Sequence, residues 1–207
     1  MTPLGQTPSQ TLGPFFHQGL AREGCGFQGS ESRLELRDVA SNLLVTSDTI
    51  GQRVRIEGYV YDGLSKPLPD ALIELWQADS EGTYQTRRGH AVWGFGRAPT
   101  DETGLYFFET IKPGSVPSAS GARQAPHLNL IVGARGMARH AFTRLYFEAD
   151  PSLDADPALA RVPAPRRPTL IAKCTGENPE GSEPQRVITY RFDIHLQGDA
   201  ETVFFAF

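Results

Sequence analysis

Ala125-Pro126-His127-Leu128-Asn129-Leu130-Ile131-Val132-Gly133-Ala134-Arg135 holds an apolar run that Asn129 interrupts and Gly133 closes. Such a run reads as a buried strand. Side chains alternate across a strand, so His127, Asn129 and Ile131 share one face while Leu128, Leu130 and Val132 share the other. A His-x-His pair on the first face would aim two imidazoles at one metal ion. The second position is Asn129 instead, whose neutral amide oxygen is a poor replacement for imidazole at a transition metal. On this stretch alone, His127 reads as a hydrogen-bonded core histidine.

The surrounding chain supplies more strands of the same kind. Residues 53–62 alternate apolar and polar side chains through their first half, and residues 72–78, 105–110, 143–147 and 187–196 carry further strand-like runs. Turn residues separate them, as in Asp79-Ser80-Glu81-Gly82 and Thr100-Asp101-Glu102-Thr103-Gly104. Only residues 156–161 have helical character, with Asp156 as N-cap and Pro157 at the first helical position. Many strands joined at short intervals predict an all-β, antiparallel β-sandwich with long loops. Residues 1–50 read as an extended N-terminal arm that packs on a partner, and residues 51–207 as the sandwich domain. Gly13-Pro14 marks an extended or turning segment of the arm, followed by Phe15 and Phe16, which must bury in this chain or in a partner.

Composition narrows the classes of function. A chain of 207 residues suits one large domain with a substantial core. Its net charge of -4 argues against a nucleic-acid partner, which needs a basic face. No apolar run is long enough to cross a bilayer, and residues 1–10 have no signal-peptide pattern. Cys25 and Cys174 are too few and too separated for a disulfide framework or a zinc site. A cytoplasmic protein is expected.

Residues 68–84, Leu-Pro-Asp-Ala-Leu-Ile-Glu-Leu-Trp-Gln-Ala-Asp-Ser-Glu-Gly-Thr-Tyr, resemble the signature of the intradiol ring-cleaving dioxygenases. Further pieces agree in order: Thr100-Asp101, Gly104-Leu105-Tyr106-Phe107, Lys112-Pro113-Gly114, Pro126-His127, Thr143-Arg144-Leu145-Tyr146-Phe147 and Tyr190-Arg191-Phe192-Asp193-Ile194. Members of that family hold Fe(III) with two tyrosines and two histidines, phenolate oxygen suiting a hard, highly charged cation. The resemblance places the four ligand positions at Tyr84, Val116, His127 and Asn129. Valine has no donor atom, so the resemblance implies a vestigial site with no metal and no catalytic residue of its own. Gln124 stands where the family has an arginine, with Arg123 beside it.

A fold kept around a vestigial site implies a partner that carries a live one. One branch of the family joins an iron-free chain to an iron-bearing β subunit, and this chain resembles the iron-free kind. The resemblance therefore implies Fe(III) bound by a partner β subunit, a higher-order hetero-oligomer, and a small aromatic substrate, 3,4-dihydroxybenzoate. Arg135 is the expected contact for the substrate's carboxylate, since a guanidinium binds it through two parallel hydrogen bonds. Gly13 and Pro14 are expected to line the partner's pocket. His17, His90, His140 and His195 show no metal-ligand spacing with one another or with His127. Two other readings stay open at this point, a stand-alone dioxygenase with atypical iron ligands and a non-enzymatic, transthyretin-like binding module.

Overall fold

The computed structural model describes residues 41–85, 94–118, 121–178 and 186–206. Gly13, Pro14, Phe15, Phe16, His17 and His90 lie outside them. Eleven strands run in chain order: β1 (Arg53–Tyr61), β2 (Leu72–Trp76), β3 (Phe95–Pro99), β4 (Leu105–Ile111), β5 (Val116–Pro117), β6 (Arg123–Gln124), β7 (His127–Gly133), β8 (Ala141–Phe147), β9 (Ile171–Asn178), β10 (Val187–Arg191) and β11 (Ile194–His195). Alternation of buried and half-buried positions along β1 and β4 is that of strands with one face on a core.

One nine-stranded sheet runs β11-β1-β10-β9-β8-β7-β2-β3, with β4 paired to β1. It closes over on itself, so Val54, Ile56 and Val60 of β1 share one core with Ile73 and Leu75 of β2 and with Leu128 and Leu130 of β7. The all-β sandwich expected from the sequence is the fold found. Most neighbours are antiparallel, but β1 runs parallel to β10 and β11, and β8 parallel to β9. β9 pairs with β10 on one side and β8 on the other, and so ties the two halves together.

The run at residues 187–196 is two strands, because the chain steps across β1 at Phe192 and Asp193. The step is possible because position 58 is glycine: a Cβ there would lie 1.8 Å from the Phe192 carbonyl oxygen. That oxygen accepts the buried Tyr106 hydroxyl at 2.7 Å, and Asp193 accepts the Tyr59 N–H at 2.9 Å.

The helix expected at residues 156–161 is only a single 3-10 turn, Leu159–Arg161. Asp156 does cap it, its Oδ1 accepting the N–H groups of Ala158 at 2.9 Å and Leu159 at 2.7 Å. Its other oxygen accepts the Ala125 N–H at 2.8 Å, so this buried carboxylate is committed to the mouth of β7 and holds the segment against it. Phe204 and Phe205 pack on this chain's own core clusters. Among the described residues no helix is long and apolar enough to cross a membrane.

Candidate functional site

Pairing register gathers the site. On β7, His127 lies opposite Tyr146 of β8, and Asn129 lies between Arg144 of β8 and Trp76 of β2. Directly paired residues of neighbouring strands point to the same face, so these five side chains converge. Tyr84 arrives from the turn after β2. Asp79 organises that turn, its Oδ1 accepting the N–H groups of Glu81 at 3.0 Å and Thr83 at 2.9 Å. Gly82 turns at φ +84°, where a Cβ would meet the Ser115 carbonyl oxygen at 2.0 Å. That backbone contact brings the segment before β5 against the tyrosine turn.

Tyr84, His127 and Asn129 form one hydrogen-bonded chain. Asn129 Nδ2 donates to Tyr84 Oη at 2.8 Å and lies 3.3 Å from the Trp76 carbonyl oxygen. Tyr84 Oη stands 3.4 Å from His127 Nε2, and His127 Nδ1 stands 2.8 Å from the Ala125 carbonyl oxygen. A carbonyl only accepts, so Nδ1 carries the proton and Nε2 is left to accept the tyrosine hydroxyl. The Tyr84 ring stacks on Trp76 with centroids 5.7 Å apart. Val116 is buried and pairs with Gln124 across β5 and β6, offering only methyl groups.

Arg144 supplies the positive charge at this place. Its Nη1 donates to Gln124 Oε1 at 2.6 Å. Tyr146 continues the array, its hydroxyl donating to Asp156 Oδ1 at 3.1 Å. Burial, reinforced by the Arg144 charge, pulls the His127 pKa down to about 4. Burial pushes the Tyr84 phenol up, although Asn129 and Arg144 oppose the shift. Fe(III) is held by anionic oxygen and neutral imidazole, which here only Tyr84 and His127 could supply. With Val116 and Asn129 at the other two positions and the Arg144 guanidinium paired across from Asn129, the donor set does not fit Fe(III). Among the described residues no group of three or more His, Cys, Asp or Glu side chains could hold a metal ion.

The His127 shift makes stability depend on pH. An unfolded histidine takes up a proton near 6.5, whereas the folded one resists until about 4. The unfolded state therefore binds more protons in this window, and stability falls as pH drops through it. Urea unfolding at pH 7 and pH 5 should show a loss of about 2 kcal/mol in the wild type. His127→Asn should remove most of that difference, and an equal pH dependence in both chains would refute the assignment.

Arg135 stands apart from this group. It lies in the turn just past the end of β7, six residues from Asn129. Beside Asn129 an apolar depression of about 400 Å³ is lined by Glu74, Trp76, Phe95, Ile131 and Phe142. The Arg135 side chain is 57% exposed and ion-paired to Asp70, with Nε and Oδ2 2.7 Å apart. His140 is exposed, and His195 stacks on Tyr61 with centroids 4.8 Å apart, so neither joins Tyr84 and His127.

Sequence reasoning quoted Arg144 and Asp70 within family-like stretches and Asp156 as a cap, but gave none of them a part in the site. Alternation along β8 could have placed Arg144 and Tyr146 together on one face. Nothing local to Asp156 or Asp70 announces a partner 31 or 65 positions away.

A family model described as Dioxygenase matches residues 35–198. The protocatechuate 3,4-dioxygenase alpha chain of Pseudomonas putida is 40% identical over 99% of this chain and 98% of its own length. That of Burkholderia cepacia is 38% identical over 99% of both. The protocatechuate 3,4-dioxygenase beta chain of Burkholderia cepacia is 30% identical over 78% of this chain and 71% of its own. Among solved structures, the dioxygenase domain of a carbohydrate-binding fusion protein from Streptomyces sp. SirexAA-E superposes with a TM-score of 0.56. It is 28% identical and covers 75% of this chain and 88% of that domain.

Proposed function

Since this chain belongs to the intradiol dioxygenase family, we propose that it is the iron-free alpha-type subunit of a hetero-oligomeric enzyme. That enzyme cleaves 3,4-dihydroxybenzoate with O2 to 3-carboxy-cis,cis-muconate. The observation that carries the iron-free assignment is the donor set: Val116 offers only methyl groups and Asn129 an amide that donates to Tyr84, so two of the four ligand positions are lost. A beta-type partner holds the ferric ion, which supplies the activation of the catechol. This chain's contribution is architecture and binding. Arg135, exposed in the turn past β7, faces outward to take the substrate's carboxylate in the partner's pocket. Residues 1–50 act as an arm on that partner, with Gly13 and Pro14 lining its pocket. The apolar depression between Trp76 and Phe142 suits coverage by another subunit. A cytoplasmic setting belongs to the same reading.

Two preparations test it: this chain alone, and this chain co-expressed with a beta-type partner from the same source. Iron and oxygen uptake with 3,4-dihydroxybenzoate are expected only in the second. Iron at one per chain in the lone preparation would overturn the iron-free assignment and favour a stand-alone enzyme. A stable homo-oligomer indifferent to the partner would favour a binding module.

A further inference from the structure

Asp70 is a buried carboxylate whose oxygens make no directed hydrogen bond among the described residues. Its one recorded neighbour of opposite charge is Arg135, whose Nε lies 2.7 Å from Oδ2. The ladder between β2 and β7 ends at Leu72 opposite Gly133. Asp70 and Arg135 lie in the turns just beyond that end, at positions that continue its register.

The two halves of the pair differ in burial. Asp70 sits on a locked segment: Thr100 Oγ1 accepts the Ala71 N–H at 2.9 Å and donates to the Leu68 carbonyl oxygen at 2.7 Å. Ala71 and Ala134, the residues between the pair and the last rung, are both buried. Arg135, by contrast, opens outward. More than half of its side chain is exposed.

We propose that Asp70 is a positioning residue for substrate recognition. Ion-paired at Nε with Asp70, the exposed Arg135 guanidinium keeps its terminal N–H groups for a carboxylate, which two parallel N–H groups match. An arginine without this anchor would spread over many rotamers, and ordering it would oppose binding. The inference rests on Arg135 serving the carboxylate of 3,4-dihydroxybenzoate, as stated above. The fork selects a planar carboxylate; the aromatic ring comes from the proposed substrate.

The test uses the complex with the beta-type partner and compares 3,4-dihydroxybenzoate with catechol, which lacks the carboxylate. Asp70→Asn keeps the shape and removes the charge. It should raise KM for 3,4-dihydroxybenzoate about tenfold relative to KM for catechol. In an Arg135→Ala background the same substitution should add nothing, because Asp70 acts through Arg135. Equal KM changes for both substrates, or a full effect in the Arg135→Ala background, would overturn the proposal. If Arg135→Ala shifts the ratio and Asp70→Asn does not, this inference fails while the role of Arg135 stands. If neither shifts it, both fall. Asp70→Ser provides the same comparison should the Asn chain not assemble, and loss of assembly in both would assign Asp70 to folding and overturn the proposal.

Discussion

Arg135→Ala in the assembled enzyme should raise KM for 3,4-dihydroxybenzoate by about 30- to 150-fold, the equivalent of roughly 2–3 kcal/mol for a charge-assisted, two-pronged contact. Catechol should be affected far less, since it presents nothing for the guanidinium to bind. Iron content should not change, because Arg135 lies past the end of β7, outside the Tyr84–His127–Asn129 group, and the metal belongs to the partner. Arg135→Lys separates charge from shape. A lysine keeps a cation near Asp70 but has no planar fork, so only part of the affinity should return. Steady-state kinetics on both substrates decides the matter. Unchanged KM for 3,4-dihydroxybenzoate would remove Arg135 from the binding role.

Gly58→Ala is expected to cost more than 4 kcal/mol, beyond the range of ordinary point substitutions. The glycine has no unusual backbone angle to protect, so the effect is steric. Its missing Cβ is the room that the Phe192 carbonyl occupies, 1.8 Å from where the atom would stand. Relief would need movement of Phe192 and Asp193. That would break the Tyr106–Phe192 hydrogen bond in the core and the Asp193 contacts with Tyr59 and Arg191. Thermal and urea unfolding of Gly58→Ala against the wild type measures the cost. A loss under 1 kcal/mol would mean that the crossing can shift freely, contrary to its packing.

Alternation made β1, β2, β4, β7 and β8 legible, because one face of each meets the core and the period of two survives in the sequence. β3 was harder to see: Phe-Gly-Arg-Ala-Pro carries glycine and alanine on its buried face, where Gly96 sits under Leu44. β9 escaped because Lys173, Cys174, Thr175 and Gly176 are exposed, leaving little apolar contrast to read. Asp156 and Pro157 signal a helix start correctly in kind, but Pro163 and Pro168 remove backbone donors, and the segment settles for 3-10 turns. At the site, Tyr84, His127 and Asn129 were recognisable by motif and the structure brings them together. Arg144 was quoted in a motif too, but its place at the site was not legible, since that lies in its pairing with Asn129 on β7.

Parallel pairing of β1 with β10 has a cost in time. β1 is complete at Tyr61, whereas β10 begins only at Val187. At synthesis rates of about 5–20 residues per second, the first strand leaves the ribosome on the order of ten seconds before its neighbour exists. β4 can close one side of it early, but the other edge stays open, a row of unsatisfied amides and carbonyls ready to template aggregation. Non-local contacts of this kind make folding slow and late. Yield of this chain should therefore depend on how nascent chains are sheltered, and slower elongation after residue 61 would lengthen the exposure.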